Sequence, residues 1–285
     1  MAATDLVRTS TRVAMVAPPK ALITVGIAGI HAEPATDTEL VDQAHLTEMV
    51  TVLGERSDWR YVQGPDQYFG WIRADQIFEV PGSNNAGVVA VLLADVYERE
   101  SRTSAVLERL PVGTRPPQMF KAVGTDGTNA RPEWAEVPLR RDAPRSGFLA
   151  VADTTGDGEV ATRLPTAADY LKTAESFIGV PYLWGGTTAL GLDCSGFVQQ
   201  VYRLNGVALP RDADQQAMLG RRVEKARAGD LMFFGPESVT HVALATSATE
   251  FIHAPMKGGV VEHNRLGGER KLLTIRRYLP DVPTA

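Results

Sequence analysis

The sequence predicts a multidomain protein: two small β barrels in series, followed by an α+β domain that carries the chemistry. Three observations predict it. Short apolar runs broken by turn residues fill the chain from Ala21 to about Leu149. Within that half a tryptophan, a turn and a glycine–aromatic pair recur as a repeat. From Thr166 onward helical spacing comes first and strand-like runs follow in a separate block, the order of an α+β unit. The expected division is a lead-in over residues 1–20, barrels over 21–82 and 83–155, and a C-terminal domain over 160–285.

A chain of 285 residues can hold one large domain or two to three smaller ones. Its 44% hydrophobic and 22% charged residues are ordinary for a soluble globular protein. The net charge of −5 leaves no basic excess for nucleic acid or anionic lipid, so neither is expected as a partner. Met1 to Arg8 lacks a charged stretch leading into an apolar core, and the patch from Val13 to Pro18 is too short to span a membrane. With a single cysteine as well, the expected location is the cytoplasm.

Strands are expected at Ala21–Val25, Met49–Leu53, Trp59–Val62 and Phe69–Ile72, with turns at Gly64-Pro65-Asp66 and over 81–85. Trp59-Arg60-Tyr61-Val62 followed by Gly70-Trp71-Ile72 is echoed by Trp134-Ala135-Glu136-Val137 followed by Gly147-Phe148-Leu149. The tryptophans are 75 residues apart and the glycines 77. This ending resembles bacterial SH3-like domains, which implies barrels whose tryptophans anchor a core.

In the last domain a helix is expected from Thr166 to Ile178, opened by Pro165-Thr166 and closed by Gly179-Val180-Pro181. Next comes the stretch on which the chemistry turns, Pro181-Tyr182-Leu183-Trp184-Gly185-Gly186 running on to Asp193-Cys194-Ser195-Gly196-Phe197. Glycines mark a loop, and then Phe197, Val198, Val201, Tyr202 and Leu204 recur at helical spacing. Cys194 therefore stands at a loop-to-helix junction, with Asp193 or Ser195 available as cap. There the helix dipole and unpaired amides favour thiolate, so the one cysteine of the chain reads as a nucleophile rather than a small core residue. After a polar turn at Arg211–Gln216, strands are expected at Asp230–Phe234, His241–Thr246 and Glu250–Ala254. A hairpin turning near Ser247 would set His241 opposite His253 on one face. Two such histidines could hold a metal, but no further ligand has suitable spacing, and no metal or other cofactor is expected. A thiol with one imidazole beside it and a second behind is the logic of nucleophile, base and orienter.

Tyr182-Leu183-Trp184-Gly185-Gly186, Asp193-Cys194-Ser195-Gly196-Phe197-Val198, Gly229-Asp230-Leu231, His241-Val242-Ala243-Leu244 and Ile252-His253-Ala254 together resemble the NlpC/P60 family of papain-like cysteine peptidases that act on cell-wall peptides. The resemblance covers roughly residues 165–280. It implies Cys194 as nucleophile, His241 as general base and acid, His253 as the residue orienting His241, and Tyr182 near the developing oxyanion, with the Cys194 amide as a second donor.

Two SH3-like domains ahead of such a domain resemble in particular the γ-D-glutamyl-L-diamino acid endopeptidases. That implies a murein peptide substrate, L-Ala-γ-D-Glu-diamino acid, cut after the γ-glutamyl unit during wall recycling. The resemblance further implies that Asp193, Glu33 and Tyr68 bind the free amine, and that Ser195, Trp184 and Arg211 line the glutamyl part of the site. A secreted hydrolase of intact wall, with the barrels as wall-binding modules, is the enzyme alternative. A non-enzymatic scaffold is disfavoured because Cys194, His241 and His253 are all present.

Overall fold

The computed structural model describes residues 18–79, 88–116, 133–140, 145–155, 164–267 and 270–279. The expected lead-in, apart from its last three residues, and the expected turn at 81–85 lie outside the described residues. The first unit comprises β1 (Lys20–Ile23), β2 (Ile27–His31), β3 (Leu40–His45), β4 (Met49–Arg56), β5 (Trp59–Gln63), β6 (Phe69–Arg73) and β7 (Ile77–Glu79). They pair in the order β3-β2-β6-β5-β4-β1-β7. Alternating residues turn inward, so that Ala21, Ile23, Ile30, Val50, Val52, Val62 and Ile72 form the core.

The second unit comprises β8 (Val88–Val89), β9 (Leu93–Tyr97), β10 (Val106–Pro111), β11 (Trp134–Arg140), β12 (Arg145–Ala150) and β13 (Thr154–Thr155). Its sheet runs β10-β9-β12-β11, with β13 and β8 paired beside it. Leu46 of the first unit is buried in its core with Val89, Val96, Leu110, Val137 and Leu149. The repeat seen in the sequence is also a repeat of registers. Val62 faces Gly70, and Val137 faces Gly147. Trp59 meets the His31 ring edge-on at 5.6 Å, as Trp134 meets Tyr97 at 5.8 Å. Each glycine leaves room for a crossing strand, since a Cβ there would lie 2.4 Å from Ile30 or 2.5 Å from Val96.

The third unit begins with α1 (Ala167–Ser176), where Thr166 and Asp169 form a reciprocal capping box. There follow β14 (Thr187–Thr188), β15 (Gly191–Leu192), α2 (Cys194–Leu204) and α3 (Ala213–Met218). A sheet then closes the unit: β16 (Arg221–Val223), β17 (Leu231–Phe234), β18 (His241–Ala245), β19 (Glu250–His253), β20 (Glu262–Arg265) and β21 (Leu272–Arg277), in the order β16-β21-β17-β18-β19-β20. One face of β17, β18 and β19 packs Phe233, Val242, Leu244 and Ile252 against Phe197, Val198 and Val201 of α2. The other packs Met232, Phe234, Ala243, Ala245 and Phe251 into a second cluster. No helix among the described residues is long and apolar enough to cross a membrane.

Strand β3 was not expected, and it is the strand that meets the third unit. Its run Leu-Val-Asp-Gln-Ala-His hides the alternation of a strand because polar residues are buried on both faces, Asp42 on one and His45 on the other. Gln43 Oε1 accepts from the Thr187 amide at 2.9 Å, and the Arg211 guanidinium donates to Asp42 at 3.2 Å. Further along, Arg203 bonds Glu48 and approaches His45 Nδ1 at 3.1 Å. The loop before α2 touches β3 closely. Gly185 has φ +73°, and a Cβ on it would sit 2.1 Å from the Leu40 carbonyl oxygen.

Gly185→Ala is therefore expected to lower stability by roughly 1–3 kcal/mol, through overlap with β3 and a backbone angle that disfavours a side chain. Denaturant unfolding measures this, and an unshifted midpoint would show that the two units do not press together at Gly185.

Candidate active site

Cys194 is the first residue of α2, and Asp193 is its N-cap in extended conformation. The Asp193 carboxylate accepts from the Gly196 amide at 2.7 Å, the Gly185 amide at 2.9 Å and both terminal nitrogens of Arg211. These bonds tie the loop, the helix start and the segment before α3 around one side chain. The Cys194 amide is one of the leading N–H groups that a helix leaves without an internal partner. Among the described residues it has none elsewhere either, so it is free to face a bound carbonyl oxygen.

His241 opens β18, and its Nε2 lies 2.8 Å from His253 Nδ1. The hairpin that carries them pairs Leu244 with Ile252 and Ala245 with Phe251, a register two residues out from the one expected. Because side chains alternate with period two, the offset leaves both rings on one face, and they meet diagonally rather than head-on. Phe234 and Phe251 pack on these rings. On the far side of His253, Asn264 approaches Nε2 at 3.5 Å and Glu262 at 3.8 Å. His241 and Cys194 line the same cavity.

Burial dominates the electrostatics. It pushes the Cys194 thiol up to about 11, with the Asp193 charge adding, against weaker help from the Val242 amide and Arg211. Burial also lowers His241 to about 3, aided by the Arg270 charge and then by His253, and lowers His253 to about 4, aided by Arg270. The resting pair is thus a neutral thiol and a neutral imidazole. Burial thus opposes the preference for thiolate that the helix N-terminus gives. Tyr182 is raised to about 12 by burial and then by the neighbouring Cys194, so its phenol stays a proton donor.

These groups line a cavity of about 370 Å³. Tyr182, Cys194 and His241 form its middle. Tyr68 from the first unit is in the wall, its hydroxyl 3.4 Å from Asp212. Trp184, 62% exposed, donates to Glu39 at 2.6 Å. Arg211 is only 2% exposed, and its donors are taken by Asp193, Asp42 at 3.2 Å and the Ser195 hydroxyl at 2.9 Å. Burial, with Asp66 adding, raises Asp42 well above the usual carboxylate range, which lets two carboxyl groups share one guanidinium.

Glu33 is not among these residues. It lines a separate surface pocket with Arg56 and Trp59, because the turn after β2 carries it away from the third unit. The glutamate that the first unit delivers to the cavity is Glu39, at the foot of β3. Sequence reasoning also missed Asp42, Asp212 and Arg270.

The chain matches the family model described as NlpC/P60 family over residues 179–273, and the one described as bacterial dipeptidyl-peptidase Sh3 domain over residues 30–77. It is 29% identical to the gamma-D-glutamyl-L-lysine dipeptidyl-peptidase of Bacillus subtilis, over 85% of this chain and 82% of that protein. It is 31% identical to dipeptidyl-peptidase 6 of Lysinibacillus sphaericus, over 93% and 96% of the two chains. A crystal structure of an NlpC/P60 family protein from Bacillus cereus superimposes with a TM-score of 0.75 at 26% identity, covering 92% of this chain and all of that one.

Because Cys194 is the only cysteine, a thiol reagent reports on it alone. Its alkylation by iodoacetamide is expected to be slow at pH 7 and to rise with a midpoint above the ordinary thiol value of about 8.5. A rate already at its plateau by pH 6 would instead reveal a preformed thiolate–imidazolium pair.

Proposed function

The chain belongs to the NlpC/P60 family of cysteine peptidases, and on that premise we propose that it hydrolyses the γ-D-glutamyl–diamino acid bond of murein peptides carrying a free N-terminal L-Ala. One observation carries this reading: the first unit supplies Glu39 and Tyr68 to the cavity that holds the thiol. With Asp212 and Asp214 they give the wall of the cleft carboxylates and a phenol, groups suited to an ammonium, which would be costly to bury unpaired. The names of the relatives at about 30% identity, which act on a γ-D-glutamyl bond, support the same reading.

In this mechanism the Cys194 sulfur attacks the γ-glutamyl carbonyl while His241 Nδ1 takes the thiol proton. A concerted transfer suits a thiol and an imidazole that are both neutral at rest. His253 holds the His241 ring through the 2.8 Å contact. The Cys194 amide and the Tyr182 hydroxyl donate to the oxyanion. As the C–N bond breaks, His241 returns its proton to the departing amine of the diamino acid. It then deprotonates a water that cleaves the thioester and restores the thiol. Asp193 and Ser195 shape the glutamyl end, Trp184 flanks it, and Arg211 acts through Asp193 rather than on substrate.

The second β unit, with the same Trp–Val–Gly register as the first, is read as a second SH3-like domain that braces the first. The third unit is read as papain-like, from its thiol at a helix start and its histidine on the facing sheet. A requirement for a free amine suits released wall fragments in the cytoplasm, where recycling takes place, better than polymeric wall.

The test compares L-Ala-γ-D-Glu-diamino acid peptides with a free and with an acetylated amine. Cleavage of the free form only is expected, with loss of about 10²–10⁴-fold in His241→Ala and complete loss in Cys194→Ala. Equal cleavage of both forms would contradict the closed amine end and favour a hydrolase of intact wall.

A further inference from the structure

Three of the carboxylates in the catalytic cavity have a side-chain partner, and Asp214 accepts from the Gln215 amide. Asp193 is held by Arg211, Glu39 by Trp184, and Asp212 by Tyr68. Arg211 spends four of its donors on Asp42, Asp193 and Ser195. Arg270, half-buried in the same wall, donates one bond, to the Pro255 carbonyl at 3.3 Å, and no carboxylate among the described residues lies within ion-pair distance of it. A guanidinium offers five donors, so most of its capacity is unused.

Its position gives that capacity a purpose. Arg270 lines both the catalytic cavity, with Pro255 and Met256, and the adjoining pocket behind His253. It is near enough to disfavour a proton on either histidine. The carboxylates Glu39 and Asp212 line the same cavity with Tyr68, and neither pairs with Arg270. His241 must touch the amine that leaves, so whatever lies past His241 belongs to the leaving diamino acid.

We propose that Arg270 is the subsite for a carboxylate on the leaving side of the scissile bond, and so sets which peptides are cut. This rests on the γ-D-glutamyl reading of the site. Such a carboxylate has two sources, the α-carboxylate of a terminal diamino acid or the side-chain carboxylate of diaminopimelate. Either would form charge-assisted, bidentate bonds with the guanidinium. It would also neutralise the cation facing His241 just when that ring must carry a proton, so that the contact assists the chemistry as well as binding. If the α-carboxylate is the group read, a carboxypeptidase-type trimming of longer peptides must supply the substrate.

Three peptides separate the sources: L-Ala-γ-D-Glu-L-Lys, its C-terminal amide, and L-Ala-γ-D-Glu-meso-diaminopimelate with only the α-carboxylate amidated. For the wild type, kcat/KM for at least one of the two carboxylate-bearing peptides is expected to exceed that for the lysine amide by on the order of 10- to 100-fold. The favoured peptide identifies the source. Arg270→Gln is expected to collapse the ratio towards one, and Arg270→Lys to keep part of it. Equal cleavage of all three by the wild type would overturn the assignment. So would a ratio that survives in Arg270→Gln, or a uniform fall for all three, which is the mark of a purely structural arginine. Failure of the wild type to cut any of them would instead overturn the γ-D-glutamyl reading, and the assignment with it.

Discussion

A buried guanidinium between two carboxyl groups joins the first β unit to the helix that carries the thiol. Arg211 reaches Asp193, the cap of that helix, and Asp42, on the strand that the first unit lays against the third. Removing one member of a buried charged cluster typically costs about 3–5 kcal/mol, because the others lose their partner in a medium that cannot solvate them. Replacing the whole cluster with apolar residues could leave stability intact. Its importance is therefore geometric: it makes the start of the nucleophile helix and the docking of β3 interdependent. Gln43 at the Thr187 amide and Gln199 at Asp66 repeat the connection on either side.

From that docking the polarity of the cleft follows. The strand that brings Asp42 to Arg211 has Glu39 at its foot, and the β5–β6 turn brings Tyr68 beside Asp212. At the other end the sheet contributes two histidines among phenylalanines, and Arg270 next to them. The middle is apolar enough to keep thiol and imidazole neutral. Among the described residues the second unit lends none to this cavity; it takes Leu46 into its core and so fixes the far side of the first unit.

How much of this is legible in the sequence depends on the range of the interactions. The junction at Cys194 is local: glycines, a capping aspartate and helical spacing lie within a few residues of each other. The repeat between the first two units is legible because a tryptophan and a crossing glycine recur at matching places in each copy. Both histidines fall on one face even with the register two residues off, since an even slip preserves the face. What escapes is set by contacts between units. Asp42 and His45 are buried only because Arg211 and Arg203 arrive from elsewhere, and a strand with charges inside does not look like one. For the same reason Glu33, beside a proline in a plausible loop, attracts attention that belongs to Glu39. The burial of the thiol escapes too, because a helix N-terminus is visible in sequence and desolvation is not.

The central claim is that the first unit closes the cleft on the amine of the substrate. A crystal structure of the Cys194→Ala variant with L-Ala-γ-D-Glu-L-Lys bound tests it most directly. The account predicts the ammonium at about 3 Å from Glu39, Tyr68 or Asp212, with the γ-carbonyl over position 194 and the lysine towards Arg270. A peptide bound in the opposite direction, or with its ammonium in open solvent, would contradict it.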